Sequence, residues 1–502
     1  MASPKSRRRP AAAARRDSQG TDLPRRLLLL LFALSGVSGL IYEVIWARQL
    51  TLVFGATSPA ITTVLTSFML GLALGSYGAG RWAGRWGNPL RAYASIELGI
   101  GVYAVAFPFL LDLLNVMHIP LFRLLVEAPL ALGVVRFVLV VVLLLPPTVL
   151  MGASLPVLAR ALISDPSRVG REAGTLYGLN TLGAAAGVYL TTFFLIPQVG
   201  LTGGWLSAAA LNWAVAGAAW ACARRWRSEA APEPMAPTSA SPARPWVLLA
   251  YGCSGLAALG YEVVWMRLLV LLFGSSVYAF AVMLTSFLLG LGLGSLVGSQ
   301  LAARGGKPFI LAAALQVTIG VAVLAGAPWF DRLPHLFLEA FRLTGGEWWK
   351  LTTLEFLMAL GLMIVPTTAM GATFPLVAHL LGTRGGTERV VGNVYAVNTW
   401  GAILGAVVTG FALIPWLGFR GSLLTLASLN TVAAWLLLAQ APGGVGWRRW
   451  ALPLPAVALL VLVPALPAWN AKALSSGAYL YAEQYSGGRF EQVLDQQRLL
   501  FY

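Results

Sequence analysis

Apolar stretches of about 20 residues recur along most of the chain, separated by short polar or basic segments. Each stretch is long enough to cross a hydrocarbon core of about 30 Å as a helix, and lipid favours helices because their backbone groups satisfy one another. The pattern predicts spans near 27–50, 57–80, 90–114, 132–160, 172–195 and 202–223, and again near 246–270, 276–301, 308–328, 352–381, 389–413 and 420–440. A further apolar run follows at 451–469.

The two sets of spans are copies of one another. The segment SGVSGLIYEVIWARQLTLVFG at 35–55 matches SGLAALGYEVVWMRLLVLLFG at 254–274, which is an offset of 219 residues. The offset falls to 218 after one deletion and then persists to the last span of each set. A fixed offset over roughly 180 residues indicates duplication of a whole half-protein. Because each half has an even number of spans, both halves should cross the membrane in the same direction.

Composition identifies lipid as the solvent of these helices. The chain is 58% hydrophobic and 11% charged, whereas soluble domains carry about 25% charged residues. The net charge of +16 comes from basic residues in the N-terminal tail and in every second loop, a distribution that places those segments in the cytoplasm. Nucleic-acid binding requires a basic stripe on soluble recognition elements. We therefore expect a multi-pass membrane protein whose partner is the lipid bilayer, with no nucleic-acid partner.

The expected fold class is an all-α polytopic membrane protein with two parallel six-helix repeats, one extra C-terminal apolar helix and a short β-prone tail. The predicted domains are a basic disordered cytoplasmic tail at 1–26, the first repeat at 27–223, a Pro-, Ala- and Ser-rich linker at 224–245, the second repeat at 246–440, a thirteenth apolar helix at 450–469 and a soluble tail at 470–502. The thirteenth helix contains four prolines and either crosses the membrane or re-enters it. Crossing is expected, because an uncharged apolar stretch is most stable in lipid.

Two motifs that occur in both halves carry a family resemblance. SGxxxLxYEVxWxRxL and TSFxLGLxLGS resemble the membrane module of bacterial fused major facilitator/spermidine synthase proteins, over residues 27–440. The segment GRWAGRWG at 80–87 resembles the loop motif of the major facilitator superfamily, without its usual acidic residue. The resemblance implies a major-facilitator-like arrangement in the bacterial inner membrane. It also implies a transporter-like or docking role linked to polyamine metabolism.

The tail extends the resemblance. The sequence AYLYAEQYSGGRFEQVLDQQRLLFY at 478–502 predicts two short strands around a polar turn and resembles the opening hairpin of an aminopropyltransferase domain. The Gly-rich loop for an adenosyl cofactor and the acidic residues for a polyamine are absent from this sequence. The resemblance thus implies aminopropyltransferase activity only for a domain absent here. We expect no catalytic, cofactor-binding or metal-binding residue in this chain.

Ionisable residues within the spans are the candidate functional groups, because they are costly in lipid and usually face the bundle interior. We expect a charge layer made of Glu43, Arg48, Arg136, Glu262, Arg267 and Glu355. Glu43 and Arg48 project roughly 140° apart on one helix, so pairing between halves is expected, Glu43 with Arg267 and Glu262 with Arg48. The layer locks the halves together, or gates or binds a charged solute, or some members snorkel to the interface.

Four more polar residues are candidate contacts between helices: Glu97, Asn180, Gln316 and Asn398. Glu97 and Gln316 occupy matching positions in the two halves. The asparagines precede Gly-xxx-Gly pairs, which allow close helix approach, so they serve either packing or a polar site.

Three function classes stay open on these grounds. The chain is a transporter-like protein for polyamines or a related cationic solute, a structural module that docks a separately encoded synthase, or a truncated or split aminopropyltransferase whose catalytic domain is missing.

Overall fold

A computed structural model describes residues 11–54, 58–225, 244–274, 276–382, 386–442, 451–465 and 469–485, and the single positions 490, 492 and 494. Within these ranges the protein is a helical bundle. Its long helices are α1 (Ala11–Phe54), α2 (Ser58–Trp82), α3 (Pro89–Leu125), α4 (Pro129–Leu162), α5 (Val169–Leu190), α6 (Ile196–Arg225), α7 (Arg244–Phe273), α8 (Val277–Ala303), α9 (Pro308–Gly326), α10 (Leu333–Thr344), α11 (Trp348–Leu381), α12 (Thr387–Val408) and α13 (Ile414–Ala439). Three short helices follow, α14 (Leu454–Ala465), α15 (Ala471–Leu474) and α16 (Ala482–Tyr485).

The spans predicted from the apolar pattern are confirmed. Ten helical segments of the described chain are long and apolar enough to cross a membrane. Two of them, 166–224 and 387–439, contain 59 and 53 residues, and each reverses direction at a glycine, so each supplies two spans. The first half is therefore α1 to α6. The second half is α7, α8, α9, α11, α12 and α13, with the short α10 between its third and fourth spans.

Both reversals use the same backbone geometry. Each begins with a turn of π-helix, Thr191–Leu195 or Thr409–Leu413, just before a proline that has no N–H to donate. The chain then bends at Gly200 (φ 68°, ψ −175°) and at Gly418 (φ 67°, ψ −178°). This backbone region is essentially restricted to glycine, which explains why the matched sequences IPQVG and IPWLG share that residue.

Two repeat-related interfaces join the halves, α2 with α12 and α5 with α8. We call the end of the bundle where α2 ends and α3 begins the near side. There Ser295 Oγ donates to the Gly174 carbonyl (2.8 Å), and Ser76 Oγ donates to the Gly392 carbonyl (3.4 Å). The duplication matches Ser76 with Ser295 and Gly174 with Gly392. These small residues let the helix backbones approach closely, as is common between helices in lipid.

The same interfaces are also in contact at the opposite end of the bundle, which we call the far side. The ring of Phe193, after α5, lies 5.5 Å from the ring of Tyr278 at the start of α8. Leu65 of α2 packs against Ala402 and Ala406 of α12. The two halves are therefore held together at both ends of these interfaces.

The C-terminal segment is attached to the second half. α14 packs along α9 and α13, where Val463 is buried, and it brings the chain from the near side to the far side. On the far side the Asn470 backbone N–H donates to Asp331 Oδ1 at 2.6 Å. Arg342 of α10 donates to the Tyr485 carbonyl at 3.2 Å. The helix of the thirteenth apolar segment has 12 residues and is shorter than the ten helical segments that could cross a membrane, so its crossing stays a prediction.

Some parts of the predicted organisation differ or lie outside the described residues. α1 starts at Ala11, so helix extends into the segment 1–26 that was expected to be disordered. Residues 226–243 of the linker lie outside the described part of the chain. The strand expected in the tail is not formed at Ala482–Tyr485, which is a helical turn. The Tyr485 hydroxyl donates to the Ser476 carbonyl (3.0 Å), and this contact folds the segment back instead of extending it.

Gly200→Ala should lower the free energy of unfolding by about 1–3 kcal/mol, because a residue with a Cβ is strained in this backbone region. Space is not the cause, since nothing lies within 4 Å of the position of the added Cβ. Gly217→Ala is the matched control: its Cβ also meets nothing within 4 Å, but it lies within regular α6. Alanine there should be neutral or stabilising by up to about 1 kcal/mol. Equal thermal unfolding midpoints for the two variants would contradict the argument.

Labelling with a membrane-impermeant maleimide tests the placement of the tail. Cys222 and Cys253 are first replaced by serine, and cysteine is introduced at Gln484 on the far side or at Lys307 on the near side, both exposed. The positive charge of the near-side loops predicts that this side is cytoplasmic. Gln484→Cys should therefore react in intact spheroplasts, and Lys307→Cys only after lysis. If both cysteines react under the same condition, α14 does not cross.

Candidate intramembrane polar site

Two repeat-related glutamates meet where the halves face each other. Glu43 of α1 is half-buried and Glu262 of α7 is 8% exposed, and the charge of Glu43 acts on the Glu262 carboxyl. Next to Glu43, Val44 packs in one buried cluster with Tyr261 and Val264. The two acids therefore lie next to buried residues of one shared cluster to which both halves contribute.

Glu355 does not lie at that level. The ring of Trp265, one turn beyond Glu262, packs against the ring of Phe287 in α8. Phe287 is three residues from Gly290, and Gly290 lies against Thr367 of α11. Glu355 is buried at 9% exposure, but it is twelve residues from Thr367 along α11, roughly 18 Å at 1.5 Å per residue. The expected single charge layer is therefore divided between different depths.

Among the described residues, Arg48 and Arg267 form no ion pair with Glu43 or Glu262. In the described chain the ion pairs are Arg25–Glu172 (3.2 Å), Arg168–Asp165 (3.4 Å) and Lys350–Glu347 (2.5 Å). The predicted pairs Glu43–Arg267 and Glu262–Arg48 are therefore wrong. Each arginine lies five residues beyond the glutamate of its own helix and closer to the far side, where Arg48 is exposed and Arg267 is half-buried.

Arg136 has a partner of a different kind. Its Nε donates to His118 Nε2 at 3.2 Å, and its guanidinium lies 5.7 Å from the centre of the Phe122 ring. These contacts join the far-side ends of α3 and α4, away from the two acids between the halves.

A buried hydrogen-bond network surrounds Glu97 within the first half. Ser35 Oγ donates to Glu97 Oε1 (2.6 Å), and Asn212 Nδ2 donates to Glu97 Oε2 (2.5 Å). The Tyr42 hydroxyl donates to Asn212 Oδ1 (2.9 Å). Glu97, Asn212 and Tyr42 are at most 1% exposed. The network connects the first, third and sixth spans of this half.

The second half contains the same network with one substitution. The Tyr261 hydroxyl donates to Asn430 Oδ1 (2.8 Å), and Asn430 Nδ2 donates to Gln316 Oε1 (2.8 Å). Gln316 Nε2 donates to Ser254 Oγ (3.1 Å) and to Thr373 Oγ1 (3.4 Å). Gln316 therefore occupies the place of Glu97. Tyr261, Asn430 and Ser254 occupy the places of Tyr42, Asn212 and Ser35.

The two remaining candidates lie against the first helix of each half. Asn180 Nδ2 donates to the Phe32 carbonyl at 2.9 Å. Asn398 lies beside Gly255, where an added Cβ would be 2.2 Å from the Asn398 carbonyl oxygen. Both asparagines thus sit where α5 and α12 approach α1 and α7.

Sequence reasoning identified Glu97 and Gln316 but not their partners. Asn212 and Asn430 are the central members of the networks, and the sequence had shown them only as matched positions of the duplication. A buried polar residue retained at matching positions in both halves was the available signal. Among the described residues, no group of three His, Cys, Asp or Glu side chains could hold a metal ion.

No protein-family model matches the chain. A curated relative, polyamine aminopropyltransferase 2 of Streptomyces coelicolor, is 30% identical over 226 residues, which are 42% of this chain and 38% of that protein. The chain therefore matches well under half the length of that relative.

Solved structures give a clearer result for the fold. The E. coli fucose:proton symporter has a TM-score of 0.52 at 15% identity, over 84% of this chain and 99% of that chain. A structure of the same transporter, described as a major facilitator superfamily transporter in the outward conformation, has a TM-score of 0.53 at 14% identity, over 84% of this chain and 99% of that chain. A bacterial homologue of the iron transporter ferroportin has a TM-score of 0.55 at 13% identity, over 82% of this chain and 98% of that chain. The protein thus has the major facilitator fold and lies in a lipid bilayer.

Arg267→Ala should change the free energy of unfolding by less than about 1 kcal/mol, because no carboxylate in the described part of the chain pairs with this arginine. A broken buried pair costs about 3–5 kcal/mol. Asn212→Ala should cost about 1–3 kcal/mol, since it leaves the buried Glu97 and Tyr42 each short of a partner. Thermal unfolding of both proteins in one detergent measures the contrast. If Arg267→Ala lowers the free energy of unfolding more than Asn212→Ala does, Arg267 is paired with a carboxylate after all.

Proposed function

We propose that the protein is a transporter-like carrier of the major facilitator type for a cationic solute, and that Glu43 and Glu262 bind this solute. The observation that carries the proposal is the meeting of these two carboxyl groups between the halves. In the described chain neither has an arginine or lysine nitrogen within 4.0 Å. A bundle held together by cross-half ion pairs would have occupied both acids.

The chemistry of the pair favours a solute with more than one positive charge. Two carboxyl groups that share a buried site cannot both ionise readily without a counter-charge. Ammonium groups supply that charge and donate charge-assisted hydrogen bonds to carboxylates. A solute bound here touches α1 and α7 together, so its binding can favour one arrangement of the halves over another.

Two further observations support a polyamine or a related cationic metabolite. The partial similarity to polyamine aminopropyltransferase 2 connects the chain with polyamine chemistry. Thr66 and Thr285, at matched positions of α2 and α8, have buried hydroxyls without a hydrogen-bond partner in the described structure. Unpartnered buried hydroxyls are uncommon in proteins, and these can serve a polar solute. The proposed location is the bacterial inner membrane, with the near side in the cytoplasm.

Binding of spermidine to the purified protein in nanodiscs, measured by isothermal titration calorimetry, tests the proposal. Glu43→Gln and Glu262→Gln should each weaken binding at least about tenfold, since loss of one partner of a desolvated charge pair costs 2–5 kcal/mol. Glu355→Gln is the matched control, because it removes a buried carboxyl at a different depth; its affinity should equal that of the unmodified protein. Butylamine, with a single ammonium group, should bind more weakly than putrescine.

The docking function makes a different prediction for the same experiment. The C-terminal segment is fixed to the far side by Asp331 and Arg342, which suits a module that holds a synthase domain. A protein with that role alone would bind neither spermidine nor putrescine saturably. Equal affinities in Glu43→Gln, Glu262→Gln and Glu355→Gln would place the solute elsewhere.

A further inference from the structure

The two buried networks differ at one chemically decisive position, where the first half has a carboxyl group and the second half has a carboxamide. Glu97 is fully buried and Gln316 is 1% exposed. Each bridges a serine in the first helix of its half and an asparagine in the last. Glutamate and glutamine have nearly the same shape, but only the carboxyl group can gain or lose a proton.

In each network the tyrosine donates to the asparagine oxygen, which leaves the asparagine nitrogen as the donor to the next side chain. The Tyr261 hydroxyl donates to Asn430 Oδ1, so Asn430 Nδ2 faces Gln316 and donates to its oxygen. The remaining Gln316 Nε2 can only donate, and Ser254 Oγ accepts from it. With the two amides in this orientation, the hydrogen bond to the serine of the second half runs from Gln316 to Ser254.

The first half allows two directions. Asn212 Nδ2 again donates to one carboxyl oxygen, and the other carboxyl oxygen lies 2.6 Å from Ser35 Oγ. A protonated Glu97 donates to Ser35 and reproduces the Gln316 pattern, whereas an ionised Glu97 accepts from Ser35. Hydroxyl hydrogens rotate freely between such patterns. Rotation of one hydroxyl therefore suffices to accommodate either protonation state.

Other groups around Glu97 are consistent with both states. Tyr93 of α3 lies near Glu97, and its hydroxyl donates to the Leu31 carbonyl at 3.5 Å. The matched position in the second half is Ala312. The titratable groups that face Glu97 are Tyr42 on α1 and Tyr93; no charged group of α4 or α6 interacts with it.

We propose that Glu97 is a reversible proton-binding site inside the first half, and that Gln316 holds the matching site of the second half in the proton-bound hydrogen-bond pattern. The ligand is a proton, which adds to a carboxylate oxygen to form the carboxylic acid and returns to water on release. The site is distinct from the Glu43–Glu262 pair, and the proposal does not depend on the identity of the solute.

Infrared spectroscopy of the purified full chain as a function of pH tests this proposal directly, because a protonated carboxyl has a carbonyl band separate from that of a carboxylate. The spectrum of Glu97→Gln is subtracted from that of the unmodified protein. The difference should contain one protonated-carboxyl band at low pH that disappears as the pH rises. Gln316→Glu should add a second such band.

Three results would overturn the proposal. Carboxylate bands alone at every pH would mean that Glu97 is permanently ionised, and a protonated band that never disappears would mean that no proton is released. The third is a failure of Glu97→Gln to fold while Glu97→Asp folds, because the proposal requires glutamine to reproduce the proton-bound pattern. Glu355→Gln is the control variant: its infrared spectrum is subtracted from that of the unmodified protein in the same way, and Glu355 is a buried carboxyl outside both networks.

Discussion

Lipid offers no hydrogen bonds, so a buried polar side chain in this bundle has to find its partner within the protein. The two networks centred on Asn212 and Asn430 meet this requirement in the same way in each half. Each asparagine accepts from a tyrosine of the first span and donates to a side chain of the third. Neither span can shift relative to the sixth without leaving a buried group unpaired, which costs about 1–3 kcal/mol. The networks thus make each half a single packed unit.

Contact between the halves follows a different principle. Serine and glycine at matched positions bring α2 to α12 and α5 to α8 by close backbone approach, and aromatic rings cover the far-side end of one interface. Such contacts are numerous but individually weak, since dispersion contributes only about 0.1–0.2 kcal/mol per atom pair. No cross-half ion pair among the described residues reinforces them. An interface of this type can be remade with little cost, which suits two units that move relative to each other.

The spans and the duplication could be predicted because bilayer thickness dictates the length of each apolar stretch and because a copied sequence retains its offset. The charge layer could not be predicted from the sequence, because the depth and direction of a side chain depend on helix tilt and packing. The sequence predicted Glu43 and Glu355 in one layer, but the contact of Gly290 with Thr367 places Glu355 at a different depth. The partner of Glu97 is 115 residues away in the chain, so no local pattern indicates it. The segment at Tyr485 is a helical turn and not the expected strand. The hydrogen bond from the buried Tyr485 hydroxyl to the Ser476 carbonyl accompanies this turn, and the β-prone sequence does not indicate it.

The first network also bears on the order in which the protein is made. All its members lie between Ser35 and Asn212, so the last hydrogen-bonding group is synthesised before the second half has begun. Domains generally fold as units, N-terminal first, during synthesis. The first six spans can therefore complete their polar contacts while still attached to the ribosome, with nothing required from the second half. The second half then inserts beside a partner that is already assembled, and its glycine-containing helices α8 and α12 meet finished surfaces.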